Sequence, residues 1–392
     1  MTDPSEHLAL QATHSAALRG AAKPEGRDRE DPMTTTARKR DYSLTGSDSK
    51  RAVELGLAAA DWYHTDVPRA RMKELMRRRD GPALRDTAVW LTLLVGFGVG
   101  GWWFWGSWWG VPFFAAYGVL YGSSSDSRWH EAGHGTAFKS ARLNDALYQL
   151  AGFMNLKEPT LWRWSHSRHH TDTIIVGRDR EIAAMRPPDA AVLILNVFGI
   201  WDALGLAVRL CRHAVGRVSP DEATFIPESE RRRVFWEARV WLVIYAAVVG
   251  ASVAVGSILP LMYVGLPSLD GRWLDPYLSL TQHAGLAENV LDHRLNSRTV
   301  YMNPILRFVY WNMNYHIEHH MFPMVPYHSL PELHAEVFDD MPPPYRSTFQ
   351  AYREILPTLV RQLRDPEYFV RRELPEKARP FRSEFHEVRM GV

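Results

Sequence analysis

The chain has 392 residues, with 46 Lys and Arg against 44 Asp and Glu for a net charge of +2. That balance gives no reason to expect nucleic-acid binding. A single cysteine, Cys211, excludes disulfide frameworks, cysteine-bound zinc and four-cysteine iron–sulfur sites, and reads as a passive apolar residue.

Residues 1–55 are polar, rich in Ala, Arg, Asp, Ser and Thr, and lack apolar periodicity, so they read as a disordered tail with Met33 as an alternative start. No apolar h-region of a signal peptide stands in this stretch. Thr87 to Tyr121 carries no charge and holds Trp102, Trp103, Trp105, Trp108 and Trp109. Val234 to Leu266 is a second apolar tract, interrupted only by Glu237 and Arg239. Each is about 35 residues, too long for one span of ~20 and suited to two spans joined by a turn. Gly106-Ser107 supplies one turn, and Gly256-Ser257 or Pro260 the other. The mean hydropathy of -0.26 hides these tracts because polar ends dilute them.

The fold class predicted is therefore an all-α integral membrane protein. Four transmembrane helices form two hairpins, 87–121 and 234–266, within a domain at 56–364. A helical cap joins them, and 365–392 is a charged tail. Arg69, Arg71, Lys73 and Arg77 to Arg79 precede the first hairpin, and Arg231 to Arg233 precede the second, while neither turn carries Lys or Arg. The positive-inside rule places the cap in the cytoplasm of a multi-pass inner-membrane protein. Between the hairpins, Pro188 to Arg212 mixes apolar residues with Asp202 and Arg209, which suits a helix lying in the interface.

Three histidine clusters follow or flank these tracts. They are His130-Glu-Ala-Gly-His134, His166-Ser-Arg-His169-His170 and His316-Ile-Glu-His319-His320, and they hold eight of the 17 histidines. On a helix, positions i, i+3 and i+4 share a face, so each cluster offers two or three imidazoles side by side. Eight nitrogens exceed the four ligands of one zinc and match two metals. Imidazole suits zinc, copper, iron and nickel alike. Without a glycine-rich dinucleotide fingerprint, redox equivalents have to come from a separate protein.

These three boxes, their order and their placement around two hairpins resemble the membrane fatty acid desaturase and hydroxylase superfamily over roughly residues 60–345. The resemblance implies a non-haem di-iron centre with dioxygen as co-substrate. Its ligands would be His130, His134, His166, His169, His170, His316, His319 and His320 on the cytoplasmic side. Thr281-Gln282-His283-Ala284-Gly285-Leu286 resembles the Glu-His-Tyr-Gly-Leu stretch of the membrane alkane hydroxylases and nominates His283 as a ninth. The segment from Gln282 through Asp292-His293-Arg294 to Phe322-Pro323 also resembles a bacterial subgroup that includes the rhizopine-catabolism oxygenase and the dihydrorhizobitoxine desaturase. Electrons would come from an external ferredoxin or rubredoxin, a Rieske-type ferredoxin with its reductase in that subgroup. No His-Pro-Gly-Gly signature of a fused cytochrome b5 domain is present.

The reading this supports is desaturation or hydroxylation of an unactivated C–H bond, first of a fatty acyl chain and alternatively of a small polar metabolite. Neutral imidazoles leave iron's charge uncompensated and so favour a strongly oxidising centre. Glu131, Asp172, Asp179, Glu288, Asp292, Asn312, Asn314 and Glu318 are candidates to orient the rings, and His293 is expected to be supporting or structural. His7, His14, His64, His213, His328, His334 and His386 read as bystanders. Arg294 and Arg298 suit lipid phosphates or a redox partner better than an anionic substrate group. Arg163, Arg168, Arg178 and Arg180 form a candidate docking face for an acidic electron donor. His130-Glu131-Ala132-Gly133-His134 is also literally HExxH, the zinc-protease signature, but a protease leaves the other two boxes without a task.

Overall fold

The first apolar tract turns where its glycine predicts. The helix Asp80–Trp103 ends at Phe104, Gly106 adopts φ +83°, and helix resumes at Gly110–Gly118. The computed structural model describes residues 39–382, and among them helix is the only extended regular structure. From Gly118 the chain passes through a π-helical turn, Val119–Ser123, straight into Ser124–Gly133, which carries the first histidine box. A π turn shifts the helical phase of everything beyond it. Here it lies about two turns ahead of His130 and contributes to the face on which that ring emerges.

The second tract follows the prediction on its outbound leg. Glu228–Ala254 is one helix of 27 residues. The return is split into Leu259–Tyr263, Pro267–Asp270 and Leu274–His283. Gly265 at φ +102° separates the first two, and Pro260 and Pro267 stand at helix starts, where their missing N–H costs nothing. By length and apolarity, two runs among the described residues can cross a membrane, Arg69–Trp103 and Glu228–Ala254. A third arises if Ala190–Val197 and Ile200–Ala214, bent by 89°, are read as one broken span. Two of the four predicted spans are thus full length by this measure.

The long legs present apolar side chains outward. Val95 and Val99 on one, Val243 and Val253 on the other, and Trp103, Trp108 and Trp109 at the first turn are exposed. A surface that apolar calls for a lipid solvent. The return legs meet through small residues. A Cβ added at Gly271 would lie 1.8 Å from the Gly118 carbonyl carbon, and one at Gly122 would lie 2.5 Å from the Pro267 carbonyl oxygen. Only glycine permits so close a backbone approach.

The predicted interfacial segment is two helices hinged at Gly199, which adopts φ +63°. Ile200–Ala214 buries Leu206 and Leu210 against Ala238 and Trp241 of the long helix and leaves Trp201, Leu204, Val208 and Cys211 exposed. The main core gathers Trp90, Trp129, Tyr148, Trp311 and Ile317 around the box helices.

The tail boundaries need correction. Ser47–Glu54 is a helix whose Ala52 packs with Leu57, Ile175 and Leu291, and the Tyr42 hydroxyl donates to Glu288 at 2.7 Å. At the other end the Val370 amide donates to the Gly285 carbonyl at 2.9 Å, and Phe369 and Phe381 pack on Val290 and Leu295. A few aromatic and apolar anchors hold these segments without any periodicity that a sequence pattern would register. The remainder of both predicted tails, Met33 included, lies outside the described residues.

Candidate metal centre

Nine histidines converge in two groups. His130, His134, His166, His170 and His319 form one, and His169, His283, His316 and His320 form the other. Within each group, one ring nitrogen per residue lies within 4.8 Å of every other. Helical phase explains the partition. The i, i+4 pairs His130/His134, His166/His170 and His316/His320 each stay together, whereas His169 and His319, at i+3, turn to the opposite group. Pro159–Thr171 and His316–Met321 therefore each serve both groups, and His283 enters from the end of Leu274–His283.

The spacing of the nitrogens suits coordination. In the larger group, His130 Nε2 is 2.7 Å from His319 Nε2 and 3.1 Å from His166 Nε2. His166 Nε2 is also 3.2 Å from the Nε2 atoms of His134 and His170. In the smaller group, His316 Nε2 stands 2.9 Å from His283 Nε2 and 3.0 Å from His320 Nε2. Metal–nitrogen bonds of about 2.1 Å at right angles put ligand atoms about 3 Å apart.

Tautomers strengthen the fit. His166 Nδ1 donates to Glu181 at 2.9 Å, His169 Nδ1 to Asp179 at 2.8 Å and His283 Nδ1 to the Asn296 carbonyl at 2.8 Å. The Thr173 hydroxyl gives its proton to the His169 carbonyl at 2.6 Å, so His320 Nδ1 must donate to Thr173 at 3.2 Å. A neutral ring carries one N–H, so all four point bare Nε2 lone pairs inward. Such a concentration of lone pairs calls for cations, and two metal ions fit these residues.

Electrostatics agree. Burial, then the neighbouring imidazoles, push His130, His170, His316, His319 and His320 well below the usual histidine range. Burial and His169 take His283 down to about 3. Neutral rings are what a metal requires. His169 differs, because burial is outweighed by Asp179 and its pKa rises.

Of the eight residues expected to orient the rings, Asp179 alone touches one of the nine. Glu131 accepts from the Thr136 hydroxyl at 2.6 Å and the Tyr327 amide at 3.1 Å, and burial lifts its carboxyl to about 7. Asp172 binds the Ala59 amide and Arg178, Glu288 binds Tyr42 and Arg40, and Asp292 pairs with Arg294. Asn312 and Asn314 hold backbone carbonyls, and Glu318 joins Thr299 to His334. Sequence reasoning missed Glu181, Thr173 and the Asn296 carbonyl. Glu181 stands 15 residues beyond the His166 ring that it holds, a separation that carries no signal, and a backbone acceptor carries none at all.

Other candidates find different places. His293 is buried and stacks on Trp62 at 4.2 Å, outside both groups. Arg294 and Arg298 are both fully buried, the first between Asp292 and Asp340 and the second against Glu354. Neither presents its guanidinium at the surface. Arg163, Arg168 and Arg178 are half-buried and engaged with Asp145, Thr224 and Asp172. His213 and His334 are not idle, since buried carboxylates hold both. His64 is bonded to the Trp62 carbonyl and His328 to Ser329, while His7, His14 and His386 lie outside the described residues. The geometry counts against the HExxH reading, because His130 and His134 share their site with three further histidines.

The comparison with known families decides the assignment. The family model described as fatty acid desaturase matches residues 106–352, well over half the chain and all nine histidines. The chain belongs to the fatty acid desaturase family. Among similar proteins, an omega-3 fatty acid desaturase of the chloroplast from Sesamum indicum is 25% identical over 52% of this chain and 49% of its own length. An endoplasmic-reticulum omega-3 fatty acid desaturase from Vigna radiata var. radiata is 23% identical over 64% of this chain and 69% of its own length. An sn-2 acyl-lipid omega-3 desaturase (ferredoxin) of the chloroplast from Arabidopsis thaliana is 23% identical over 64% of this chain and 58% of its own. The match to the sesame protein thus spans about half of that relative. With this family membership go apolar helices suited to a membrane and histidine clusters suited to metal.

Proposed function

We propose that this chain is a membrane di-iron desaturase that uses dioxygen to introduce a double bond into a fatty acyl chain. The observation that carries this is the five-plus-four partition of the histidines. Five nitrogens exceed the four ligands of a structural or catalytic zinc, and all-nitrogen sites suit iron. Bound iron supplies the oxidising power for hydrogen abstraction from carbon. Two hydrogens from adjacent carbons, two external electrons and two protons then balance the reduction of one dioxygen to two waters.

The protein's own contribution is to hold and to dry. Glu181, Asp179, Thr173 and the Asn296 carbonyl lock four ring orientations, and the burial of six of the nine rings limits the water that would quench the chemistry. A lipid substrate is supported by the similar proteins, which are named fatty acid or acyl-lipid desaturases. The polar-metabolite alternative is weakened by Arg294 and Arg298, whose guanidinium groups are already neutralised inside the fold. Electrons would arrive from a separate ferredoxin-type protein. In this reading four membrane legs in two hairpins carry the cap on the cytoplasmic side of the inner membrane, with the two return legs crossing beside the two long helices.

The test combines elemental mass spectrometry on purified protein with fatty-acid analysis of an expressing host. About two irons per chain, with acyl chains that lose two hydrogens, is the expected result. Acyl chains that gain one oxygen instead would assign hydroxylation. One zinc without iron, and unchanged lipids, would overturn the proposal.

A further inference from the structure

A crevice separate from the metal centre lies between Ile200–Ala214 and the turn Ser219–Glu222. It encloses about 430 Å³, and Arg180, Arg209 and Arg212 line it. Two of these arginines already have anions. Arg209 Nε is 3.0 Å from Glu158 and Arg212 Nη2 is 2.5 Å from Glu222. The buried His213 ring holds the same two carboxylates at 2.7 and 3.2 Å, so neither is available to a further cation. Asp221 on the opposite lip accepts from the Ser43 and Thr45 hydroxyls.

Arg180 is different. Its guanidinium lies over Trp162 at 5.3 Å and over Phe225 at 5.8 Å, and its Nη1 is buried with no hydrogen-bond partner among the described residues. Its chain neighbour Glu181 is turned away to Ser165 and His166. A buried guanidinium donor left unsatisfied is costly, and a phosphate is the acceptor its planar fork fits best.

The facing wall is apolar. Trp201, Leu204 and Val208 are spaced along one face of Ile200–Ala214 and are 49%, 58% and 65% exposed. The opposite face of that helix packs on Glu228–Ala254, so this stripe extends the outward apolar surface of a membrane-crossing helix. We propose that the crevice binds the phosphate of an anionic membrane lipid through Arg180, with an acyl chain of that lipid lying along Trp201, Leu204 and Val208. Basic pockets beside membrane helices select such headgroups. The inference rests on the membrane placement of the chain and is independent of the metal centre.

The test titrates the full-length protein in detergent with phosphatidylglycerol, phosphatidylcholine or inorganic phosphate. Native mass spectrometry reads retained lipid, and the midpoint of thermal unfolding reads stabilisation. Phosphatidylglycerol should be retained and raise the midpoint, phosphatidylcholine should bind more weakly, and phosphate alone should do neither. Arg180→Gln should weaken phosphatidylglycerol about tenfold. Leu204→Glu, at an exposed position that folding does not need, should do the same by placing a carboxylate beside the phosphate. If Arg180→Gln does not fold, Leu204→Glu decides the matter. Undiminished retention by Leu204→Glu overturns the proposal, and so does saturation by inorganic phosphate alone, which would mark a free-anion site. Iron content measured on the same samples keeps this outcome distinct from the fate of the desaturase reading.

Discussion

His166 joins Glu181 to the centre of the larger histidine group: its Nδ1 donates to the carboxylate at 2.9 Å while its Nε2 stands 3.1 Å from His130 Nε2. The carboxylate fixes which nitrogen faces inward. Glu181→Gln retains the size of the side chain but removes its charge and offers an amide whose N–H₂ competes for the wrong tautomer. Metal affinity at the five-histidine group should fall about 10- to 100-fold. Asp179→Asn should act likewise on the four-histidine group through His169. Chelator competition followed by metal analysis checks both, and unchanged metal retention in both variants would remove the orienting role.

His319 and His293 make a sharper contrast. Both are buried histidines near the third box, yet His319 Nε2 lies 2.7 Å from His130 Nε2 and His293 stacks on Trp62. His319→Ala should abolish acyl desaturation and lower iron content while the protein still elutes as an assembled membrane domain. His293→Ala should keep its iron and lose only about 1 kcal/mol of stacking, plus the effect of the small cavity left behind. Iron-to-protein ratios on the two variants test the assignment. Full iron in His319→Ala contradicts it.

A pH dependence should come from His213. Burial pushes this imidazole down, but hydrogen bonds to Glu158 and Glu222 outweigh it, and its folded pKa lies above 6.5. Glu222 is pulled to about 2 against the effect of burial, by His213 and the Ser219 amide. A raised base stabilises the fold below its unfolded pKa, and that contribution is lost as pH climbs through the folded value. A depressed acid stabilises above its unfolded pKa of about 4.5, and its contribution is lost as pH falls towards 2. The melting midpoint should therefore decline on both sides of a plateau spanning about pH 4.5 to 6.5. His213→Gln should lower stability by about 1–3 kcal/mol by weakening the hydrogen bonds to Glu158 and Glu222, which keep Arg209 and Arg212, and should flatten the alkaline decline. An alkaline slope equal to wild type would sink this account.

Arg128 offers a test of packing around the first box. It is fully buried without a carboxylate, and its Nη1 donates to the Ser124 carbonyl at 2.8 Å and the Val309 carbonyl at 3.1 Å. Trp90 and Trp311 lie about its guanidinium at 5.0 and 4.9 Å. Lysine keeps the charge but has neither the fork nor the flat face. Arg128→Lys should therefore cost about 2–4 kcal/mol. Thermal unfolding in detergent measures this, and a midpoint within a degree of wild type would show that the charge alone suffices.

The histidine clusters themselves were legible because helical spacing converts a linear pattern into a face, as His166, His169 and His170 illustrate. Their supports were not. Asp179 and Glu181 reach the rings through a loop in which Ile174 and Gly177 take positive φ, and no local rule predicts where such a loop returns. The first hairpin was readable from Gly106. The broken return of the second was also written in Pro260, Gly265 and Pro267, but average apolarity over the tract concealed it. The packing of Tyr42 on Glu288 and of Phe369 on Val290 and Leu295 depended on single anchors that periodicity cannot see.

The crossing of box two and box three between the histidine groups has a consequence for assembly. Pro159–Thr171 and His316–Met321 each send rings in both directions, so neither group is an independent module. Seating the first ion would fix helical rotations that the second group also needs, and the second ion would find its ligands already aligned. Loading should accordingly be cooperative, with half-filled protein scarce at intermediate metal supply. The same sharing limits how the centre can change by descent. A substitution that retunes one histidine group would alter the rotation of a helix serving the other, and the two groups would have to change as a pair.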